Sequence, residues 1–305
     1  MDRQQILATG LRFPEGPVVR KDGSLLFVEI ERRTVSRLTP SGVEVVARLR
    51  GGPNGLAVGP DGDLYVCNNG GFLFGLDGGF NRTRPGVPDG YAGGWIERID
   101  PESGEARLLY DRCGDHRLVG PNDIVFDHAG GFYFTDFGKT YERSRDLGGL
   151  YYALADGSRI VEVAYPLLAP NGVGLSPDDS VVYAAETDTG RLWAFDLEAP
   201  GVIKRHPFPS PHGGRLVCGL PGFQRFDSLA VEAGGNICVA TLITGCITVI
   251  SPEGEVVRQV GTGDPITTNI CFGGPDMKTA YMTLSGTGCL VSMKWPEPGL
   301  PLAHD

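Results

Sequence analysis

The stretch "NGLAVGPDGDLYVCNN", Asn54–Asn69, reads as a polar residue, a short apolar run, a turn of Pro, Asp and Gly, and a second apolar run. The turn is a hairpin signal with a mechanism, because glycine accepts positive φ without steric cost. Five more stretches repeat the pattern: "EGPVVRKDGSLLFVEI" from Glu15, "NDIVFDHAGGFYFTDF" from Asn122, "NGVGLSPDDSVVYAAET" from Asn171, "DSLAVEAGGNICVATLI" from Asp227 and "NICFGGPDMKTAYMTLS" from Asn269. Successive starts lie 39, 68, 49, 56 and 42 residues apart. A repeat of that period, holding several short strands, predicts a β-propeller.

The remainder of each unit agrees. "WIERID" and "ARLLYD" follow the second unit, "LYYALA" and "RIVEVAY" the third, and "CITVIS" and "EVVRQVG" the fifth. The last unit has three strands, ending at "CLVSMKW", and "QQILAT" near the start of the chain is expected to supply its fourth. That closes the ring and removes free sheet edges. The expected fold is therefore all-β, a single six-bladed β-propeller domain over residues 1–305, with its ring closed by an N-terminal strand.

Composition supports this reading and excludes others. The chain is 41% hydrophobic, with 46 glycines and 23 prolines, and no long amphipathic helical stretch. Net charge is −10 and no basic stripe exists, which argues against nucleic acid or anionic membrane as partner. The first residues lack a signal-peptide apolar core, and no apolar run reaches membrane-spanning length. Seven cysteines include no Cys-x-x-Cys pair. Cys238, Cys246, Cys271 and Cys289 lie in apolar runs and read as reduced core thiols of a cytoplasmic protein.

In a propeller the first strand of each blade lines the central channel. Glu15, Asn54, Asn122, Asn171, Asp227 and Asn269 then stand at one level of its mouth. Any one asparagine here is explained by a turn, but a turn entering an apolar strand does not require Glu15 or Asp227. Two carboxylates facing across a narrow channel repel unless a cation lies between them. Carboxylate and amide oxygens without Cys or His suit a hard divalent ion such as calcium, magnesium or manganese. The five histidines make no zinc-binding pattern. "DRCGDHRL", with Cys113 and His116, reads as loop, and "SGTGCL" from Ser285 as a turn.

The loops returning to the channel mouth are expected to wall the site. The longest is Gly70–Gly94, "GGFLFGLDGGFNRTRPGVPDGYAGG", offering Phe72, Phe74, Phe80 and Tyr91 as apolar surface and Arg82 and Arg84 as anion contacts. "GKTYERSRDLGG" adds Tyr141, Arg143 and Arg145. The connection into the fifth blade, "GGRLVCGLPGFQRF", adds Phe223, Gln224 and Phe226.

At "PEGP" around Glu15, "GPND" around Asn122, "APNGVGLSPDDSVVYAAET" around Asn171 and "FDSLAVEAGGNICVAT" around Asp227, the chain resembles the senescence-marker-protein, gluconolactonase and luciferin-regenerating-enzyme family of six-bladed propellers. Organophosphate-hydrolysing propellers and paraoxonases share that architecture. The resemblance implies one divalent metal held by Glu15, Asn122, Asn171 and Asp227, with calcium the first choice and manganese, magnesium, zinc and ferrous iron open. It implies hydrolysis of a lactone, with Asp227 the catalytic residue; the metal would polarise the carbonyl, and Asp227 would act as base on water or directly as nucleophile. Asn54, Asn269, Arg82, Tyr141, Arg143 and Phe223 are the substrate-facing candidates. Sugar lactonases of the family carry a substrate-binding arginine two residues before the asparagine matching Asn122. Here that place holds Gly120, so the resemblance does not fix gluconolactone as the substrate. Other readings on the same scaffold are an aryl-ester or organophosphate hydrolase, or a propeller that binds a ligand without turning it over. Oligomeric state is left open.

Overall fold

The computed structural model describes residues 4–304. Within them the chain is built of strands, in six antiparallel sheets arranged as the blades of a propeller. No helix among the described residues is long and apolar enough to cross a membrane.

The innermost strands are Pro14–Val19, Pro53–Val58, Pro121–Phe126, Pro170–Leu175, Arg225–Val231 and Thr267–Gly273. Each lies against the inner strand of the next blade, the sixth against the first. Each blade then adds strands outward in chain order, except that the sixth takes Gln5–Ala8 as its outermost. The first hairpin of each turns where the sequence places its turn, with Gly23 at φ 82° and Gly62 at φ 83°. The fourth blade has Asp179 instead, held at φ 55°, where a side chain carries a steric cost.

The closing strand is Gln5–Ala8, antiparallel to Cys289–Lys294, with Gln5 opposite Ser292 and Ala8 opposite Leu290. One expectation is revised. The stretch from Gly213, read as connection into the fifth blade, contains Arg215–Gly219, which pairs with Arg191–Ala199 as the outer strand of blade four. Cys113 and His116, read as loop, sit in a two-residue hairpin, Arg112–Cys113 with His116–Arg117.

The core is divided among the blade interfaces. Phe27 and Leu290 pack between blades one and six, Tyr65 and Phe132 between two and three, and Tyr133 and Phe195 between three and four. Burying such a side chain contributes roughly 1.5–3 kcal/mol, so each interface is held mainly by its own apolar pairs. None of the seven cysteines is in a disulfide; Cys238, Cys246 and Cys271 are buried and Cys289 only partly so.

Two features set the channel mouth. Every inner strand carries a register shift beside its ring residue, as between Glu15 and Val18, Pro121 and Ile124, and Phe226 and Leu229. A bulge re-aims side chains out of the ladder, which is how polar groups reach the channel from an apolar strand. The inner strands also approach very closely. A Cβ on Gly16 would lie 2.5 Å from the Asn54 carbonyl oxygen, and one on Gly172 2.7 Å from that of Asp227. Only glycine fits at these contacts.

Candidate functional site

All six ring residues are buried at the mouth: Glu15, Asn54, Asn122, Asn171, Asp227 and Asn269. Their hydrogen bonds divide them. Asn269 Nδ2 donates to Glu15 Oε2 at 2.9 Å, while its Oδ1 accepts the Ile270 N–H at 2.8 Å, so Asn269 orients Glu15. Asn171 Nδ2 donates to Thr187 Oγ1 at 3.1 Å, and its Oδ1 meets only the Ser228 hydroxyl at 3.4 Å. Asn122 Oδ1 is buried without a hydrogen-bond partner among the described residues. An orphaned buried acceptor costs about 1–3 kcal/mol unless a ligand fills the place.

The carboxylates are equally uncompensated. Glu15 and Asp227 form no ion pair with a cationic side chain among the described residues. Burial pushes both upward in pKa, and the Glu15 charge pushes Asp227 further. A third carboxylate, Asp123, lies one residue further along its inner strand. Its Oδ2 accepts the Val173 N–H at 3.1 Å, and burial raises it to about 7. Glu15 adds to that rise. No three His, Cys, Asp or Glu side chains converge as a metal-ligating group among the described residues. The donor set at the mouth is instead mixed, two carboxylates and neutral amides.

In four blades the approach to the ring residue is held by the end of that blade's own second strand. Asp136, ending the second strand of blade three, accepts N–H bonds from Val119 at 2.7 Å, Gly120 at 2.7 Å and Gly138 at 3.0 Å. Glu29 accepts from Arg12 at 2.7 Å, Asn68 from Gly52 at 2.8 Å and Glu186 from Leu168 at 2.7 Å. In four blades, then, one polar side chain holds the connection that delivers the ring residue. Sequence reasoning passed over these four, although they end the aligned stretches "LLFVE", "LYVCN", "FYFTD" and "VVYAAE" at one common position.

Below the ring the channel is apolar. Val18, Leu56, Ile124 and Leu229 line a cavity of about 90 Å³, and Leu300–His304 close its far end. The Leu300 N–H donates to the Val231 carbonyl at 2.8 Å.

Over the ring face lies the long segment of blade two. It is a hairpin, Leu73–Asp77 with Phe80–Arg84. The Asn81 N–H donates to the Gly286 carbonyl at 2.8 Å, and the Gly86 N–H to the Thr140 carbonyl at 2.8 Å, so the segment reaches both blade six and blade three. Phe74 packs on Phe13 at 5.2 Å between ring centroids, Phe72 on Phe74 at 6.5 Å and Phe72 on Phe137 at 6.3 Å. This aromatic chain runs from blade one to blade three.

The other candidates fall at the periphery. Arg82 is ion-paired to Asp77 within the hairpin at 2.8 Å with its side chain 48% exposed, and Arg84 shares Asp77. Arg143 and Phe223 are exposed, and Tyr141 is half-buried with its hydroxyl near Asp146. Arg145 is the arginine of its loop that is pinned, to Asp188, which Arg225 also approaches at 3.6 Å.

Lys139 was absent from the sequence reading. It is fully buried, Nζ donates to the Gly71 carbonyl at 2.7 Å, and it lies 3.9 Å from the Phe72 ring centroid and 5.2 Å from that of Tyr91. It thus clasps the base of the hairpin segment. Burial pulls its pKa from 10.5 to about 7, against the charges of Asp136 and Asp146. The unfolded chain keeps this proton up to about 10.5, whereas the folded one releases it above about 7. Folding therefore gains stability as pH rises between those values. The melting midpoint of the wild type is expected to climb from pH 7 to pH 9 relative to that of Lys139→Met. Parallel curves for the two proteins would remove the buried amine from the account.

With this geometry in place, comparison with known proteins is decisive on one point. The sequence pattern described as the SMP-30/Gluconolactonase/LRE-like region matches residues 13–286. The chain belongs to this family. Among SMP-30/gluconolactonase/LRE-like relatives, a gluconolactonase of Zymomonas mobilis is 26% identical over 298 residues, covering 88% of this chain and 75% of the relative. Lactonase drp35 of Staphylococcus epidermidis is 28% identical over 249 residues, covering 81% and 68%. Solved structures share the propeller fold. A calcium-binding protein, regucalcin, from Agrobacterium tumefaciens superposes with TM-score 0.75 at 18% identity, covering 99% and 98%. A gluconolactonase from Xanthomonas campestris gives 0.75 at 23% identity, covering 97% and 90%.

Proposed function

We propose that the chain is a metal-dependent hydrolase that opens a lactone at the channel mouth, with sugar-derived lactones as the substrate class. One observation carries the metal half of this reading: among the described residues Glu15 and Asp227 are buried without a cationic partner, and Asn122 Oδ1 is buried without a hydrogen bond. A divalent cation fits that set, held by Glu15, Asn122, Asn171 and Asp227 through hard oxygen donors. The structural likeness to a calcium-binding protein supports calcium first. The lactone half rests on the relatives named gluconolactonase and lactonase.

When bound, the cation supplies Lewis-acid polarisation of the lactone carbonyl. The chain supplies the rest. Asn269 fixes Glu15 and Thr187 fixes Asn171, so the donors are preorganised. Asp227, whose Oδ1 accepts the Ser228 N–H at 3.1 Å, takes the proton of the attacking water. The aromatic chain from Phe13 to Phe137 keeps bulk water from the mouth. Asn54 and Tyr141 are assigned to substrate contact, with Arg82, Arg143 and Phe223 at the outer approach.

Proton release from a panel of sugar and aliphatic lactones tests this directly. Metal-stripped protein is expected to be inactive and to melt several degrees lower, since a bound ion at about a hundred times its Kd contributes ~2.7 kcal/mol. Adding Ca²⁺, Mg²⁺, Mn²⁺, Zn²⁺ or Fe²⁺ singly is expected to restore both readouts to different extents. Full activity after stripping, or an unchanged melting midpoint with every ion, would overturn the metal reading. Failure of every lactone would overturn the substrate class.

A further inference from the structure

On the ring face, outward from the channel, a groove of about 600 Å³ lies between blades one and two and the connection into blade three. Four guanidiniums line it: Arg33, Arg48, Arg50 and Arg117. They come from three separate chain segments. Arg33 leads into Thr34–Thr39, Arg48 and Arg50 leave the outer strand of blade one, and Arg117 belongs to the small hairpin after blade two. Tyr91 and Trp95 add aromatic wall.

None of the four makes an ion pair among the described residues, whereas other arginines around the same face do. Arg12 pairs with Glu31 at 3.8 Å, Arg32 with Glu29 at 3.0 Å, and Arg145 and Arg225 share Asp188. The acids that line the groove offset the arginines only in part: burial raises the Glu97 carboxyl, and the nearby Arg50 charge opposes that rise. Glu97 is buried, bonded by Asn68 Nδ2 at 2.7 Å, and Asp111 is matched by Arg112 at 3.5 Å. Asp89 is exposed at the groove wall. Arg117 is held in place by donating from Nη1 to the Ala92 carbonyl at 3.2 Å, with its remaining N–H groups free of protein partners among the described residues. Four exposed arginines against three acids, Asp89, Glu97 and Asp111, leave this groove net positive in a chain of net charge −10, which favours an anion there.

We infer that this groove binds a small polyanion carrying phosphate groups. The guanidinium fork matches phosphate oxygens bidentately, and four forks from three segments suit two adjacent phosphoryl groups. The site is separate from the channel mouth and does not depend on the hydrolase reading. Its wall, 88–95, is the stem of the hairpin segment that covers the mouth.

The probe is inorganic pyrophosphate, titrated calorimetrically into the full chain at low ionic strength. Saturable one-to-one binding is expected, weakening steeply with added salt. Arg48→Gln/Arg50→Gln is expected to weaken it at least about tenfold, and Arg117→Gln by a few-fold, with both variants melting like the wild type. Lys21→Gln, a charge loss on a turn of the opposite face, is expected to leave it within about twofold. Malonate, with two carboxylates, is expected to bind at least about tenfold more weakly than pyrophosphate. The inference is overturned by absence of saturable binding, or by groove and Lys21 variants weakening it alike. Malonate binding as tightly as pyrophosphate would overturn the phosphate assignment.

Discussion

Asp227→Asn is expected to leave the propeller folded and to lower lactone turnover by at least about a hundredfold, the scale of a lost general base. The substitution is close to isosteric. An asparagine oxygen can still accept the Ser228 N–H that Asp227 now accepts at 3.1 Å, and can still donate a lone pair to a cation. What it cannot do is take a proton from water. The same change also removes one buried charge from beside Glu15, which burial and that neighbour now make costly. The melting midpoint is therefore expected to hold or rise while kcat falls. Both are read from one preparation by thermal unfolding and steady-state kinetics on the best lactone of the panel. Turnover like that of the wild type would remove Asp227 from the chemistry and leave it a metal donor alone.

The second large effect is on stability. Asp136→Ala is expected to cost about 3 kcal/mol or more, because it orphans the buried N–H groups of Gly120 and Gly138 and the partly buried one of Val119 at once. Those groups hold the connection that delivers Asn122, so activity is expected to fall in the fraction that remains folded. Asp136→Asn is an internal control. Asn68 performs the corresponding task in blade two with an amide, its Oδ1 accepting from Gly52 at 2.8 Å and Gly70 at 3.1 Å. Asparagine at 136 is thus expected to recover a substantial part of the loss. Urea unfolding of the three proteins measures this. Equal losses in the Ala and Asn variants, or a loss under about 1 kcal/mol in Ala, would show that these bonds are replaced by water.

Much of this was legible in the linear sequence because it repeats. Hairpin turns such as "PDGD" and "KDGS" mark each blade, and the polar residue before each apolar run marks the channel level. "QQILAT" was readable as the closing strand because the last unit lacked one. The loops were not legible in the same way. Arg82 looked like an anion contact, yet its partner Asp77 sits across its own hairpin, a pairing that only the fold of Leu73–Arg84 creates. Lys139 follows a glycine in an unremarkable loop, and its burial depends on Phe72 and Tyr91 arriving from another blade. Arg33, Arg48, Arg50 and Arg117 are scattered over more than one unit, so no window of sequence displays their convergence. Repetition reveals what each blade does for itself; contacts between loops of different blades have no period to read.

The pairing of Gln5–Ala8 with Cys289–Lys294 also has a consequence for the order of events during synthesis. Gln5–Ala8 leaves the ribosome before every other described strand of the ring, yet it is among the last to find its place. Until residues beyond Cys289 emerge, blade six has no third strand for it to join, and blade one has no sixth neighbour against Phe27. Both flanks of the growing arc then expose unpaired apolar surface, which is when such a chain is most prone to associate with another. A ring closed by Gln5–Ala8 on Cys289–Lys294 completes its last blade only when those two segments meet, and a strand added in trans could seal only a chain that lacks its own.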